Sequence, residues 1–359
     1  MKKVLSLALA ALLLLVAPVL AVAETYELAL VTDLGTIDDR SFNQGSWEGL
    51  VKYAQENNIT HKYYQPKEQS DDAYLDSIQL AVEGGAKLVV TPGYLFETPI
   101  YVAQDMYPDV NFVLVDGNPH SPDYADYRTE QNVVGIVYAE EESGFLAGYA
   151  IVKEGYTKLG YMGGMAVPAV VRYGYGFVQG AEYAAKELGI PEIIINYHYT
   201  GGFVATPEAQ ALAAAWYNDG IEVIFAAGGK VGNSVMAAAE AAQDKWVIGV
   251  DVDQGGESPR VITSAMKGLR ESVYDAIADS YKGEFPGGEA WLLGADRLGV
   301  GLPLATSLFT KFTVADYDAV FAKLVAKEIP IVKDVTAADA KAVALTDLPL
   351  EVTKVTLVE

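Results

Sequence analysis

The chain has 359 residues, a formal charge of −23 and no cysteine. Without cysteine there is no disulfide, no thiolate metal site, no cysteine nucleophile and no lipid-modified cysteine near the start. The negative charge argues against nucleic acid and anionic lipid headgroups as partners, since both need a basic surface.

Residues 1–23 read as an export signal. Lys2 and Lys3 form a basic start, Val4 to Leu20 an apolar core, and Ala21-Val22-Ala23 an A-x-A cleavage site before Glu24. The apolar run is short for a membrane span, and no later stretch is long and apolar enough to be one. The mature chain is therefore expected outside the cytoplasm, beginning near Glu24, with a charge of −25 once Lys2 and Lys3 are removed. Its roughly 336 residues exceed the size at which a single core keeps growing, so two lobes are expected.

The first element is an apolar strand, Leu28–Val31, buried on both faces. It ends on Thr32-Asp33 and leads through a loop with Gly35, Asp38 and Asp39 to Ser41-Phe42-Asn43-Gln44. There Ser41 reads as the N-cap of a helix with Trp47, Leu50, Val51 and Ala54 at helical spacing. Further strands are expected at His61–Gln65, Leu88–Thr91, Phe112–Asp116, Val133–Tyr138, Leu159–Met162, Ile193–Tyr199, Val223–Ala227, Trp246–Val250 and Val261–Ser264. Helices are expected between them at Asp71–Glu83, Thr98–Tyr107, Glu141–Lys153, Tyr173–Leu188, Pro207–Trp216, Asn233–Ala242 and Leu269–Tyr281. Near-continuous apolar strands alternating with helices mean parallel, right-handed crossover units covered on both faces. The fold class is α/β, doubly wound. Two half-length sets of units suggest two similar lobes, 24–138 plus 254–286 and 139–253 plus 287–359, joined by a hinge of direct crossings.

Ligands of open α/β sheets bind outside the carboxyl ends of the strands. Those ends carry Asp33, Thr91-Pro92-Gly93, Asp116-Gly117, Gly163-Gly164, Gly201-Gly202-Phe203, Gly228-Gly229 and Asp251. No nucleophile is paired with a base there, and His61, His120 and His198 read as structural. Asp38-Asp39 and Asp251-Val252-Asp253 lack EF-hand spacing, so no metal site is expected. Gly228-Gly229-Lys230-Val231-Gly232, between a strand and a helix, suits either a phosphate cradle or close approach to an uncharged ligand. Phe42 and Phe203 lie in loops where core rings are seldom placed, and two such rings from opposite lobes can sandwich a flat heterocycle. Asp33, Asp116 and Asp251 would accept hydrogen bonds from ring N–H groups or ribose hydroxyls. Tyr94, Phe96, Tyr173 and Tyr175 read as cleft or core residues, with core favoured.

With VTDLGTIDDRSFNQGSWEG (31–49), FVLVDG (112–117), GFLAGY (144–149), LGYMGGMAVPAVVRYGYGFVQG (159–180), YTGGF (199–203), FAAGGKVGN (225–233), IGVDVDQ (248–254) and ITSAMK (262–267), the chain resembles the basic membrane protein family of bacterial substrate-binding proteins. That family includes purine-nucleoside receptors, and the resemblance covers essentially the whole mature chain. It implies a type I periplasmic-binding fold that closes on its ligand and presents it to the permease and ATPase of an ABC importer. By the resemblance, Phe42 and Phe203 stack on the base, with Asn43 beside Phe42 in the ligand-binding set. Asp33 and Asp116 contact the base. Gly228, or Gly229 in the neighbouring register, gives a backbone contact, and Asp251 and Lys267 bind the ribose.

Two departures stand out. The family's lipobox cysteine is missing, so the expected place is periplasmic or at the cell surface, or free in the medium after cleavage. Leu34 stands where some relatives carry a polar residue that touches the base, which leaves the base preference open. The expectation is a monomeric binding protein, with no cofactor and no enzymatic activity. The alternatives are the same fold binding riboflavin or a sugar, and an exported nucleoside hydrolase, which would need an acid/base pair or an Asp cluster in the cleft. A transcriptional regulator would need a basic helix-turn-helix stretch, and none is present.

Overall fold

The computed structural model describes residues 25–33, 35–336 and 341–358; the signal segment and Leu34 lie outside them. The first half of the chain forms β1 (Leu28–Val31), α1 (Phe42–Asn57), β2 (His61–Tyr64), α2 (Asp71–Glu83), β3 (Leu88–Pro92), α3 (Glu97–Met106), β4 (Asn111–Val115) and β5 (Val133–Tyr138). The second half continues with α4 (Glu140–Glu154), β6 (Lys158–Gly163), α5 (Pro168–Leu188), β7 (Ile193–Tyr199), α6 (Pro207–Asn218), β8 (Val223–Ala227), α7 (Val231–Glu240), β9 (Trp246–Asp251) and β10 (Val261–Lys267). The remainder holds α8 (Leu269–Lys282), β11 (Glu289–Leu293), β12 (Val300–Gly301), α9 (Val314–Val325) and β13 (Thr353–Leu357).

Two sheets result. One has six strands in the order β11-β5-β4-β3-β1-β2, the other seven in the order β12-β10-β9-β8-β6-β7-β13. Both contain the same doubly wound order, second-first-third-fourth-fifth, so each has a switch point between its first and third strands where a ligand crevice opens. β1, β3, β4 and β8 have no exposed residue, which is why they read as unbroken apolar runs.

The lobe assignment of 254–286 and 287–359 needs correction. β10 pairs with β9 in the second sheet, while α8, the helix that follows it, packs on α1 of the first lobe. β11 pairs in parallel with β5 in the first sheet. A strand–helix unit was expected to stay whole, but here the chain changes lobe at Gly268, between the strand and its helix. β12, α9 and β13 do belong to the second lobe, with β12 antiparallel to β10 and β13 parallel to β7. The crossings lie side by side: Gly268 N donates to Gly299 O at 2.8 Å and Ala139 N to Leu293 O at 3.2 Å. These backbone bonds make the hinge a narrow ribbon.

Next to the ribbon, α4 and α5 pack against each other with their backbones in contact. A Cβ at Gly144 or Gly148 would collide with the carbonyl oxygen of Tyr173 or Phe177, and one at Gly176 or Gly180 with that of Glu141 or Phe145. This pairing fixes Glu140 at the start of α4 and Tyr173 on α5, both of which matter below. No helix among the described residues is long and apolar enough to cross a membrane.

Candidate functional site

The loop after β1 turns on one carboxylate. Asp39 Oδ1 accepts from Ser41 N (2.9 Å) and Gln44 N (3.0 Å), and Oδ2 from Asn43 N (2.9 Å) and Asn43 Nδ2 (3.1 Å). Asp39, rather than Ser41, therefore caps α1; the Ser41 side chain makes no capping bond. The Ser41 hydroxyl instead donates across the lobes to Asp251 Oδ2 at 2.6 Å. Asn43 also donates to Asp33 Oδ1 at 3.1 Å, the atom that receives Gly35 N at 2.6 Å.

Asp116 and Asp251 follow or end the fourth strand of their respective lobes, and both have left-handed backbones, with φ of 61° and 66°. That conformation is costly for a residue with a Cβ, though aspartate tolerates it better than most. Finding it at equivalent places in the two lobes marks these positions as built for their side chains.

Lys267, at the end of β10, joins them. Its ammonium pairs with Asp116 Oδ2 and lies 3.1 Å from Glu140 Oε1. The same nitrogen is 5.2 Å from the ring centroid of Phe42 and 5.4 Å from those of Tyr138 and Tyr173. Tyr173 OH in turn donates to Asp251 Oδ1 at 3.4 Å. Asp116 Oδ1 and Asn43 Oδ1 are buried without a hydrogen-bond partner among the described residues.

The electrostatics follow from burial. Loss of water raises the Asp116 carboxyl to about 7, against the pull of Lys267. Burial also raises Asp251, opposed by Lys267 and the Ser41 hydroxyl, and Asp33, opposed by the Gly35 and Asn43 N–H groups. For Lys267 burial acts downward, but Asp116, Glu140 and Asp251 outweigh it and hold the ammonium charged.

Phe203, Gly228 and Gly229 form a second group on the other lobe. The Phe203 ring lies against Gly164, and Gly228 packs on the Gly164 backbone, so the ends of β6, β7 and β8 meet there. The helix N–H groups at this turn are already bonded: Lys230 N to Phe203 O (3.0 Å), Val231 N to Gly228 O (3.0 Å) and Gly232 N to Gly229 O (3.2 Å). Bonded in this way, these three N–H groups are not free to cradle a phosphate. The two groups face each other across a seam where Lys230 Nζ donates to Thr36 Oγ1 at 3.2 Å and Gln254 Nε2 to Arg40 O at 2.8 Å, with Arg40 also paired to Glu257.

Of the other aromatic residues considered, Phe96 and Tyr175 are core, whereas Tyr173 is buried and yet bonded to Asp251. The histidines are occupied elsewhere, His120 with Glu97 and Ser121 and His198 with Val358. Glu140, Tyr138 and Arg172 were not foreseen. Glu140 opens a run of three glutamates, a pattern that reads as a solvated first turn; here its side chain is 2% exposed.

The arrangement brings aromatic rings, carboxyl groups and one buried ammonium together between two hinged lobes, and among the described residues no nucleophile is paired to a base there. It defines a solute-binding protein. A family model described as ABC transporter substrate-binding protein PnrA-like matches residues 26–335, and the chain belongs to this family. It is 34% identical over 304 residues to the ABC transporter nucleoside-binding protein BmpA of Lactococcus lactis, covering 78% of this chain and 82% of that protein. It is 30% identical over 311 residues to basic membrane protein A of Borreliella burgdorferi, covering 86% and 88%. Among solved structures, a solute-binding protein of an ABC transporter system from Aeropyrum pernix shares the fold, with a TM-score of 0.74 at 22% identity over 87% of this chain and 94% of that one.

Proposed function

We propose that this chain captures a purine nucleoside between its lobes and delivers it to the permease and ATPase of an ABC importer. The observation that carries the reading is Lys267, held by Asp116 and Glu140 beside the Phe42 ring, with Asp251 tied to the same loop through Ser41. In this reading Phe42 and Phe203 stack on the two faces of the base. Asp33, Asn43 and Asp116 take its polar edge, Asp251 and Lys267 hold the ribose hydroxyls, and Gly228 or Gly229 admits the ligand close to the backbone. Carboxylates accept and do not donate, which suits the hydroxyls and ring N–H groups of a nucleoside. The nucleoside-binding description of the Lactococcus relative supports the same class. The protein acts as a monomer outside the cytoplasm, and the ligand selects the closed state because only that state presents both lobes to it.

Calorimetry with adenosine, guanosine and inosine tests this. Phe42→Ala and Asp251→Ala are each expected to weaken binding well beyond tenfold, since base stacking alone is worth roughly 1–3 kcal/mol. Unchanged affinity in both variants refutes the site. A thermal-shift panel of nucleosides, riboflavin and sugars tests the ligand class: ligand at 100 times its Kd stabilises by about 2.7 kcal/mol, and a response to flavin or sugar alone refutes the nucleoside.

A further inference from the structure

Three consecutive glutamates open α4, at the first crossing between the lobes, and all three are buried: Glu140 1%, Glu141 2% and Glu142 7% exposed. Each meets a cation from a distant part of the chain. Glu141 pairs with Lys333, and Glu142 lies 3.0 Å from Lys327 while accepting from Ala295 N at 2.6 Å. Glu140 lies between two cations: Lys267 Nζ at 3.1 Å from Oε1, and Arg172 Nη1 at 3.7 Å from Oε2, an atom without a hydrogen-bond partner among the described residues. Arg172 is held from its other side by Asp334, with Nε to Oδ1 at 2.7 Å and Nη2 to Oδ2 at 3.3 Å. Asp334, Arg172, Glu140, Lys267 and Asp116 thus form one row of alternating charge, running from the segment after α9 into the cleft.

Arg172 bears on this row through Glu140, the carboxylate that lies between two cations. Lys267 faces three carboxylates, Asp116, Glu140 and Asp251, and one ammonium cannot balance them in a site shielded from water. An ammonium has three N–H donors. Asp116 accepts from one and Glu140 lies 3.1 Å away as a charge partner, which leaves donor capacity for a ligand. If Glu140 lost its second cation, it would draw harder on Lys267, and the ammonium would shift away from Asp116. We propose that Arg172 is a positioning residue for the ligand: it fixes Glu140, Glu140 fixes Lys267, and Asp334 anchors the row from outside the cleft. This rests on the nucleoside reading, in which Lys267 binds the ribose.

The test is a double-mutant cycle of Arg172→Ala and Glu140→Gln on the full chain, with Arg172→Lys as the conservative variant. Calorimetry with adenosine, guanosine and inosine should show about tenfold weaker binding for Arg172→Ala, a comparable loss for Glu140→Gln, and little further loss in the double variant. Arg172→Lys, which keeps the charge facing Glu140, should recover most of the affinity, and the free bases should lose much less than the nucleosides. Losses that multiply, or wild-type affinity in Arg172→Ala, overturn the proposal. The same cycle in urea without ligand should also be non-additive, and additivity there overturns the link. If the wild-type chain binds none of these nucleosides, the ligand assignment falls, and the ligand-free cycle decides the row by itself.

Discussion

Replacing Lys267 by Met keeps the length of the side chain and removes only its charge, so it measures what the ammonium does for the fold. Lys267 is 5% exposed and lies between Asp116 and Glu140. Removing one partner of a buried ion pair typically costs about 3–5 kcal/mol, because the other charge stays behind without compensation. That deficit is expected at pH 9, where Asp116 is ionised in the wild type. It should shrink as pH falls toward 7, for a reason that fixes the sign. Asp116 is raised in the folded state, from an ordinary 3.8 to about 7, by burial against the pull of Lys267. Without Lys267 it rises further. A carboxyl raised on folding takes up its proton in the folded chain first, so stability increases as pH falls through the folded value toward the unfolded one. Each pH unit in that window is worth up to about 1.4 kcal/mol per proton. Urea denaturation of both proteins at pH 9 and pH 7 should therefore show the deficit of Lys267→Met falling by about 1 kcal/mol, since below pH 7 the wild-type Asp116 takes up the same proton. The surface pair Lys87–Glu27, with Lys87 68% exposed, is the control, and Lys87→Met should cost under about 1 kcal/mol. A deficit for Lys267→Met at pH 9 as small as the control's, or one that stays constant or grows between pH 9 and 7, would refute a compensating role for the ammonium.

Other consequences are open to measurement. At Gly176 a Cβ would collide with the Glu141 carbonyl oxygen, so Gly176→Ala must push α4 and α5 apart. Urea denaturation should show a loss of about 1–3 kcal/mol, whereas a glycine that was merely tolerated would give a gain of up to about 1 kcal/mol. Asp39→Ala removes the acceptor of the first N–H groups of α1, and thermal or urea unfolding should register about 1–2 kcal/mol. Ser41→Ala leaves that cap intact and breaks the bond to Asp251. Its stability should change less than that of Asp39→Ala while nucleoside affinity falls several-fold by calorimetry; equal affinity would show that the bond does not shape the site.

What the sequence makes legible here is whatever depends on near neighbours. β5, β7 and β8 begin and end at the expected residues, and α2 matches its expected bounds, with the Ser70 hydroxyl accepting from Ala73 N at 3.2 Å. The residues at strand ends were legible for the same reason, since a carboxylate after an apolar run has few places to go but the sheet's edge. Partner choice at long range was not. Nothing local distinguishes β10 and α8 in opposite lobes from a unit that stays whole, because the change of lobe is fixed by the backbone bond between Gly268 and Gly299, thirty-one residues apart along the chain.

The glutamates at the start of α4 show the limit most plainly. Acidic residues in the first turn favour the helix wherever it sits, through the partial positive charge of its free N–H groups. Glu140-Glu141-Glu142 would therefore look the same on a solvated surface as here, where all three are buried. Their cations come from β10, α5 and the segment after α9, that is, from Lys267, Arg172, Lys327 and Lys333. Only folding brings those elements to the crossing. A run of like charge that would repel itself in isolation thus becomes the place where the distal chain is tied to the hinge, and where the hinge meets the ammonium in the cleft.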